Sequence, residues 1–224
     1  MLQEVRDHKR DRDSDHTRKI ILDAAEKLFS ERGFAGTSMR DISEVSGVSQ
    51  ALIHHHFGSK RMLYHEVKRQ AIERFWERWA NRSVAEIEQE IKPERFLSEG
   101  IEAFFWFVRD NENIIRLSIW ACLEGDTDLW PGEKESIELL AQEVAKAQEA
   151  GIINPEIDPH MFTLMIEAVT IFWWQYRSNL VKLFLDEREK NFDKAIEDLD
   201  RRYLDNVLRV FSGCKVGARH EEGK

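Results

Sequence analysis

The stretch Thr37–Leu63, TSMRDISEVSGVSQALIHHHFGSKRML, decides how this chain is read. Met39 to Ser46 forms a short helical segment. Thr37 or Ser38 stands where a helix cap belongs, and Asp41 falls in the first turn, where a carboxylate meets the positive helix end. Gly47-Val48 interrupts the segment. A second short helix starts at Ser49 as cap and runs to His56, and Gly58 ends it. Ser59 then caps a long helix reaching about Arg82. Two short helices joined by a tight glycine turn are the layout of a helix-turn-helix. Val48 is placed to tuck beneath the turn with Ile42, Val45 and Ile53. The second helix turns its N-terminal end outward, where free N–H groups suit phosphate and side chains reach a major groove.

Working outward, Ile21, Ala24, Ala25 and Leu28 share one helical face, and Gly33-Phe34 closes that helix. Residues 1–15 mix both charge signs without apolar periodicity. They are expected to form a mobile arm, either an idle tail or one touching DNA beside the main contact. Downstream, helices are expected over Glu94–Arg109, Glu112–Leu123, Glu133–Ala150, Pro159–Glu187 and Phe192–Phe211. No stretch alternates with period two, so the fold class is all-α. The helix from Phe192 carries one apolar stripe that includes Leu199, Tyr203 and Val207. The helix from Pro159 is apolar nearly all round and needs cover on two sides, either its own core on one and a second copy of the chain on the other, or a single-chain core that swallows the whole helix.

The chain has 224 residues, 33 Lys+Arg and 42 Asp+Glu, for a net charge of −9. The charge is uneven: residues 16–69 hold nine Lys/Arg against six Asp/Glu, so the basic share lies around the helix-turn-helix. Low Pro and Gly exclude collagen-like and low-complexity chains. Cys122 and Cys214 lack CxxC spacing and fit a reducing cytoplasm. The N-terminus has no apolar core of a signal peptide, and the most apolar stretch is too short for a membrane span.

Thr37–Leu63 resembles the DNA-binding domain of the TetR (tetracycline-repressor) family of bacterial regulators. Thr37, Ile42, Gly47, Val48, Ser49, His55, Phe57, Ser59, Lys60 and Leu63 match its habitual pattern. Upstream, ILDAAEKLFSERGFAGTS matches its first helix and Gly-Phe exit. The chain departs from the pattern at His54, where Tyr is usual, at Leu52, where a small residue is usual, and at Ser43 and Ser46, where Ala is common. The resemblance implies an N-terminal three-helix domain, residues 16–76, and a C-terminal ligand-binding and dimerisation domain, residues 77–213, followed by a tail, 214–224. It implies backbone contacts from Thr37, Ser38 and Arg40. Ser49, Gln50, Ala51 and Leu52 would face the groove, with Gln50 able to pair bidentately with adenine. His54, His55, Ser59 and Lys60 would lie near phosphate.

The expected partners are palindromic double-stranded DNA, a second copy of the chain, and a small apolar or aromatic effector. Candidate effector residues are Phe105, Trp106, Arg109, Trp120, Glu124, Met165, Glu167 and Trp173; ordinary core packing is the alternative for each aromatic. Glu167 stands out as an acid in an apolar helix, which calls for a partner: a cationic ligand, a Trp N–H, Arg109 or Arg116. Candidate dimer residues are Phe162, Val169, Phe172, Tyr176, Leu199, Tyr203 and Val207. His54-His55-His56 cannot converge on one metal, because successive helical side chains diverge by about 100°. The acid pairs Glu73/Glu77 and Glu86/Glu90 are read as solvated charge. No catalytic motif, metal site or cofactor fingerprint is present, so no enzyme is expected. A TetR-like module that binds ligand or protein but no longer DNA is the alternative.

Overall fold

The computed structural model describes residues 2–84, 93–185 and 191–212. Among these there are nine α-helices, one turn of 3₁₀ helix and no strand. The helices are α1 Leu2–Arg32, α2 Met39–Ser46, α3 Gln50–Phe57, α4 Lys60–Val84, α5 Pro93–Asp110, α6 Glu112–Leu123, α7 Glu133–Glu149, α8 Pro159–Leu180 and α9 Phe192–Ser212. The segments Glu86/Glu90, Cys214 and the 214–224 tail lie outside the described residues.

Two ends differ from expectation. Helix α1 begins at Leu2, so the stretch expected to be an arm is helical. It contains no Gly or Pro, and its Arg, Lys, Glu, Gln and Leu residues are good helix formers. Helix α8 stops at Leu180 and passes into the 3₁₀ turn Val181–Leu183, short of Glu187.

The chain forms two compact units. The first comprises the described part of Met1–Arg74 together with Glu112–Glu133. Its core is built from Ile21, Leu22, Leu28 and Phe29 of α1, Ile42 of α2, Ile53 and Phe57 of α3, and Leu63 and Val67 of α4. Leu117 of α6 is fully buried in that same core, and Trp130 packs against it. The second unit takes Phe75–Asn111 and the described residues from Lys134 onward. There Phe105 of α5, Val144 of α7, Phe162 and Trp173 of α8, and Leu204 and Phe211 of α9 share one core.

Sequence pattern explains these packings. Each of α2 and α3 is too short to be stable alone, so burial of Ile42, Ile53 and Phe57 against α1 and α4 holds them in place. The polar members of the α9 pattern face solvent, with one exception. Asp200 lies in line with Leu204, Val207 and Phe211 and is 2% exposed. It accepts from both arms of the Arg177 guanidinium at 2.6 Å and from the indole N–H of Trp173 at 3.0 Å. The acid that the interior accommodates this way is Asp200, which the sequence pattern did not single out.

Candidate nucleic-acid interface

The α2–α3 turn is stapled by local hydrogen bonds. Ser38 caps α2: its hydroxyl accepts from the Asp41 N–H, and the Asp41 carboxylate accepts from the Ser38 N–H at 2.8 Å. The Ser38 hydroxyl and N–H hold the Asp41 carboxyl below its usual range. Gly47 takes φ +70°, a left-handed angle that an L side chain resists, and closes α2 by donating to the Ser43 carbonyl at 3.0 Å. The Ser43 hydroxyl donates to the Val48 carbonyl at 2.7 Å, and the Ser46 hydroxyl accepts from the Val48 N–H at 3.2 Å. The two serines that depart from the family pattern therefore tie down the turn. Val48 is partly buried against the first core as expected. Val45 is not: one turn on from the fully buried Ile42, at the C-terminal end of α2, it is 50% exposed.

Helix α3 is capped by Ser49, whose hydroxyl accepts from the Leu52 N–H at 3.3 Å. Ile53 and Phe57 point inward. Gln50, Ala51, Leu52, His54 and His55 are exposed, forming a continuous face at the N-terminal and outer side of the helix. His54 Nδ1 lies 2.8 Å from the Gly58 carbonyl. A carbonyl only accepts, so Nδ1 carries the proton and Nε2 is the outward atom. Burial, then the neighbouring His55 and Arg18 charges, push His56 below the ordinary histidine value. Arg18 itself sits over the Phe57 ring at 4.6 Å and pairs with Glu66.

Around this face, Ser38, Arg40 and Ser59 are exposed. Arg40 is paired with Glu44 at 2.9 Å, one helical turn away. Ser59 caps α4 by accepting from the Met62 N–H at 3.2 Å. Two expected phosphate contacts are placed differently. Thr37 is 2% exposed, and its hydroxyl is turned to the carbonyls of Gly33 at 2.8 Å and Leu28 at 3.2 Å. Lys60 aims its ammonium at the carbonyls of Phe34 at 2.8 Å and Thr37 at 2.9 Å and lies over the Phe34 ring. Both side chains brace the loop entering α2 by giving its carbonyls, and those at the end of α1, charged or hydroxyl donors.

A third brace comes from Glu124, the residue that follows α6. The Glu124 carboxylate accepts from the Phe34 N–H at 3.0 Å and the Ala35 N–H at 2.9 Å. Lys68, 2% exposed, pairs with Asp126 and lies over the Tyr64 ring at 4.6 Å. Burial raises Asp126, but the hydrogen bond and charge of Lys68 outweigh it and hold the carboxyl low. Burial, with the nearby Asp126 and Glu124 charges, pushes the Tyr64 phenol up to about 12.

The eight effector candidates do not form one group. Trp120 and Glu124 belong to the first unit, at the α1–α2 loop. Phe105 and Trp173 are buried in the second core, with Trp106 partly buried against it. Arg109 is exposed and paired with Asp110, Arg116 donates to the Ser30 carbonyl, and Met165 is 43% exposed. Glu167 is half-buried. Of the dimer candidates, Phe162, Leu199 and Val207 are buried within the chain's own core. Val169 is half-buried, and Tyr203 stacks on Trp173 at 4.2 Å. Phe172 and Tyr176 are exposed, on an outer α8 face shared with Met161, Leu164 and Met165. Two-sided apolarity was correctly read from sequence; which side meets the chain's own core is decided only by the fold.

A capped helix anchored from behind by Ile53 and Phe57, exposed along its outer face and locked behind a glycine turn, is the layout of a helix-turn-helix DNA-binding transcriptional regulator. Comparison with known proteins agrees. Residues 21–67 match "Bacterial regulatory proteins, tetR family" and residues 100–202 match "Tetracyclin repressor-like, C-terminal domain". The regulator RutR of Escherichia coli K12 is 30% identical over 89% of this chain and 94% of its own length. The repressor AcnR of Corynebacterium efficiens is 25% identical over 69% of this chain and 78% of its own. The fold also matches AibR, solved with isovaleryl coenzyme A and operator DNA, at TM-score 0.63 and 17% identity, over 89% of this chain and 100% of that one. The chain belongs to the TetR family of bacterial regulatory proteins.

Proposed function

We propose that this chain is a cytoplasmic, homodimeric repressor rather than an enzyme. It reads a two-fold DNA site through α3 and releases it when a small apolar effector binds the second unit. The observation that carries this reading is the α3 face itself: Gln50, Ala51, Leu52, His54 and His55 are exposed while Ile53 and Phe57 anchor the helix from behind. Gln50 reads a base edge, the Ser49 end of α3 approaches phosphate, and Ser38, Arg40 and Ser59 flank the backbone. The helix N-terminus, rather than a large positive charge, supplies the local attraction.

Two copies are needed because the basic excess on one copy is small. The outer α8 face of Met161, Leu164, Met165, Phe172 and Tyr176 supports pairing with a second copy. Pairing would set two α3 helices about 34–36 Å apart, one turn of the duplex. The named repressors among the relatives and the ligand-bound AibR support repression relieved by a small molecule. Among the described residues, no helix is long and apolar enough to cross a membrane, and no cluster of His, Cys, Asp and Glu is placed to hold a metal ion.

Footprinting of the purified chain on the promoter region next to its own gene tests the reading. A two-fold protected site whose affinity falls steeply with salt is expected. A chain that ignores that DNA at low ionic strength, or is stably monomeric, sinks it. Titration of effector with and without operator tests release: by linkage, DNA must weaken effector binding by the factor that effector weakens DNA binding.

A further inference from the structure

We infer that the effector carries an uncharged carbonyl group, held by Thr170 and Trp174 of α8. This rests on the effector-binding role proposed above and names the chemistry of its ligand.

Helix α8 offers an internal comparison. Thr163 is buried, and its hydroxyl donates to the Pro159 carbonyl one turn back at 3.1 Å. Trp173 is buried, and its indole N–H donates to Asp200 at 3.0 Å. The same helix treats its other pair differently. Thr170 is 0% exposed, and its hydroxyl has no hydrogen-bond partner, not even the carbonyl one turn back that a helical threonine usually takes. The Trp174 indole N–H is likewise buried without a partner. The two residues stand one turn apart on one face of α8, so both donors are presented on the same side. Buried polar groups are almost always satisfied, and two orphans on one face call for a function.

The surroundings are aromatic. The Trp174 ring lies 5.0 Å from Phe105 and 6.3 Å from Trp106. Tyr203 stacks on Phe105, but its hydroxyl is already given to the Val169 carbonyl at 2.8 Å. A ligand there meets aromatic walls and two donors. An indole N–H cannot accept, so the ligand atom facing it must. A carbonyl oxygen, with two lone pairs, can take both bonds. Charge decides against a carboxylate. Arg177 lies over Trp174, and Arg109 and Arg201 over Trp106, but these guanidiniums are paired with Asp200, Asp110 and Glu197. Among the described residues around these rings, no guanidinium is left unpaired to balance a buried anion.

The test uses the full chain and a series of alkyl phenyl ketones, each paired with the alkylbenzene of the same length and the matching phenylalkanoate, with binding read by calorimetry without DNA. The ketone is expected to bind about ten-fold more tightly than its alkylbenzene and more tightly than the carboxylate. Thr170→Val should erase the ketone preference, and Thr170→Ser should keep it. Thr170→Val should also raise the melting temperature of the ligand-free protein, because a methyl replaces a buried hydroxyl that nothing satisfies. A lowered melting temperature in Thr170→Val, an undiminished ketone preference in that variant, a stronger carboxylate, or no ketone binding across the series each overturns the proposal. A chain that prefers ketones by this pattern but binds no DNA would refute the regulator reading and leave this one standing.

Discussion

Glu124 accepts hydrogen bonds from the backbone of the α1–α2 loop, with the Ala35 N–H at 2.9 Å. A side chain near position 124 thus stabilises the loop that launches the helix-turn-helix some ninety positions earlier. Replacement by Ala leaves the Phe34 and Ala35 N–H groups to solvent and is expected to destabilise the first unit by about 1 kcal/mol. It should weaken DNA binding on every sequence alike. Urea unfolding alongside a gel shift checks both, and an unchanged midpoint would mean the contact contributes nothing.

Gly33 sharpens the same point. It holds φ +72°, and an added Cβ would lie 2.5 Å from the Glu124 carboxylate and 2.8 Å from the Trp120 ring. Gly33→Ala is therefore expected to destabilise more than Glu124→Ala, since it combines backbone strain with a clash. The ordering of the two unfolding midpoints is the measurement.

Lys60 has an internal task. Lys60→Ala is expected to lower stability by about 1.5 kcal/mol, through loss of two charge-assisted bonds to the Phe34 and Thr37 carbonyls, besides weakening DNA binding. If the ammonium served phosphate alone, the variant would melt at the wild-type temperature. Gln50→Ala should leave stability unchanged and reduce affinity by about 1–3 kcal/mol at a single base position. Selection from random operators before and after the change reveals whether one position relaxes.

Acid sensitivity follows from His56. Burial, with His55 and Arg18, holds its folded value below the ordinary one, so the unfolded chain takes up the proton first. The resulting stability is present above the ordinary histidine value and is lost as pH falls through it toward the lower folded value. His56→Gln should flatten that decline. Carboxylates such as Asp41 and Glu66, also held low, lose their contribution only at more acid pH.

Asp200→Ala should be the most damaging of these changes, at about 3 kcal/mol, because it leaves the buried Trp173 N–H and the partly buried Arg177 guanidinium without their acceptor. Denaturant unfolding of the full chain measures it. A loss of only a few tenths would show that solvent reaches this pair.

Much of this was legible in the residues. Ser38 with Asp41, Gly47, Ser49 and Gly58 are local signals, and local signals fix where α2 and α3 start and stop. The continuous apolarity of α8 shows in both of its faces, one buried in the chain's own core and the other, with Phe172 and Tyr176, exposed in the single chain. What sequence could not assign was the side: Phe162 and Phe172 are both phenylalanines on one helix, yet one is 0% exposed and the other 51%. That difference depends on where α5 and α9 pack. Thr37 and Lys60 escaped for another reason. Their type and spacing suit phosphate, but the carbonyls they satisfy become available only once α1 ends at Gly33. Asp200 had a signal that was passed over, its register with Leu204, Val207 and Phe211.

The membership of α6 in the first unit has a practical corollary. The polypeptide crosses between units at Arg74–Phe75, returns at Asn111–Glu112 and leaves again at Glu133–Lys134. No single scissile point separates a self-sufficient DNA reader from the rest: a fragment ending at residue 76 would forfeit Leu117, Trp130 and the Asp126 partner of Lys68. Such a fragment would expose the apolar floor beneath α1 and α4 and leave the Lys68 ammonium without its carboxylate. Domain transplants from this chain should carry residues 112–133 with them, or expect an insoluble product.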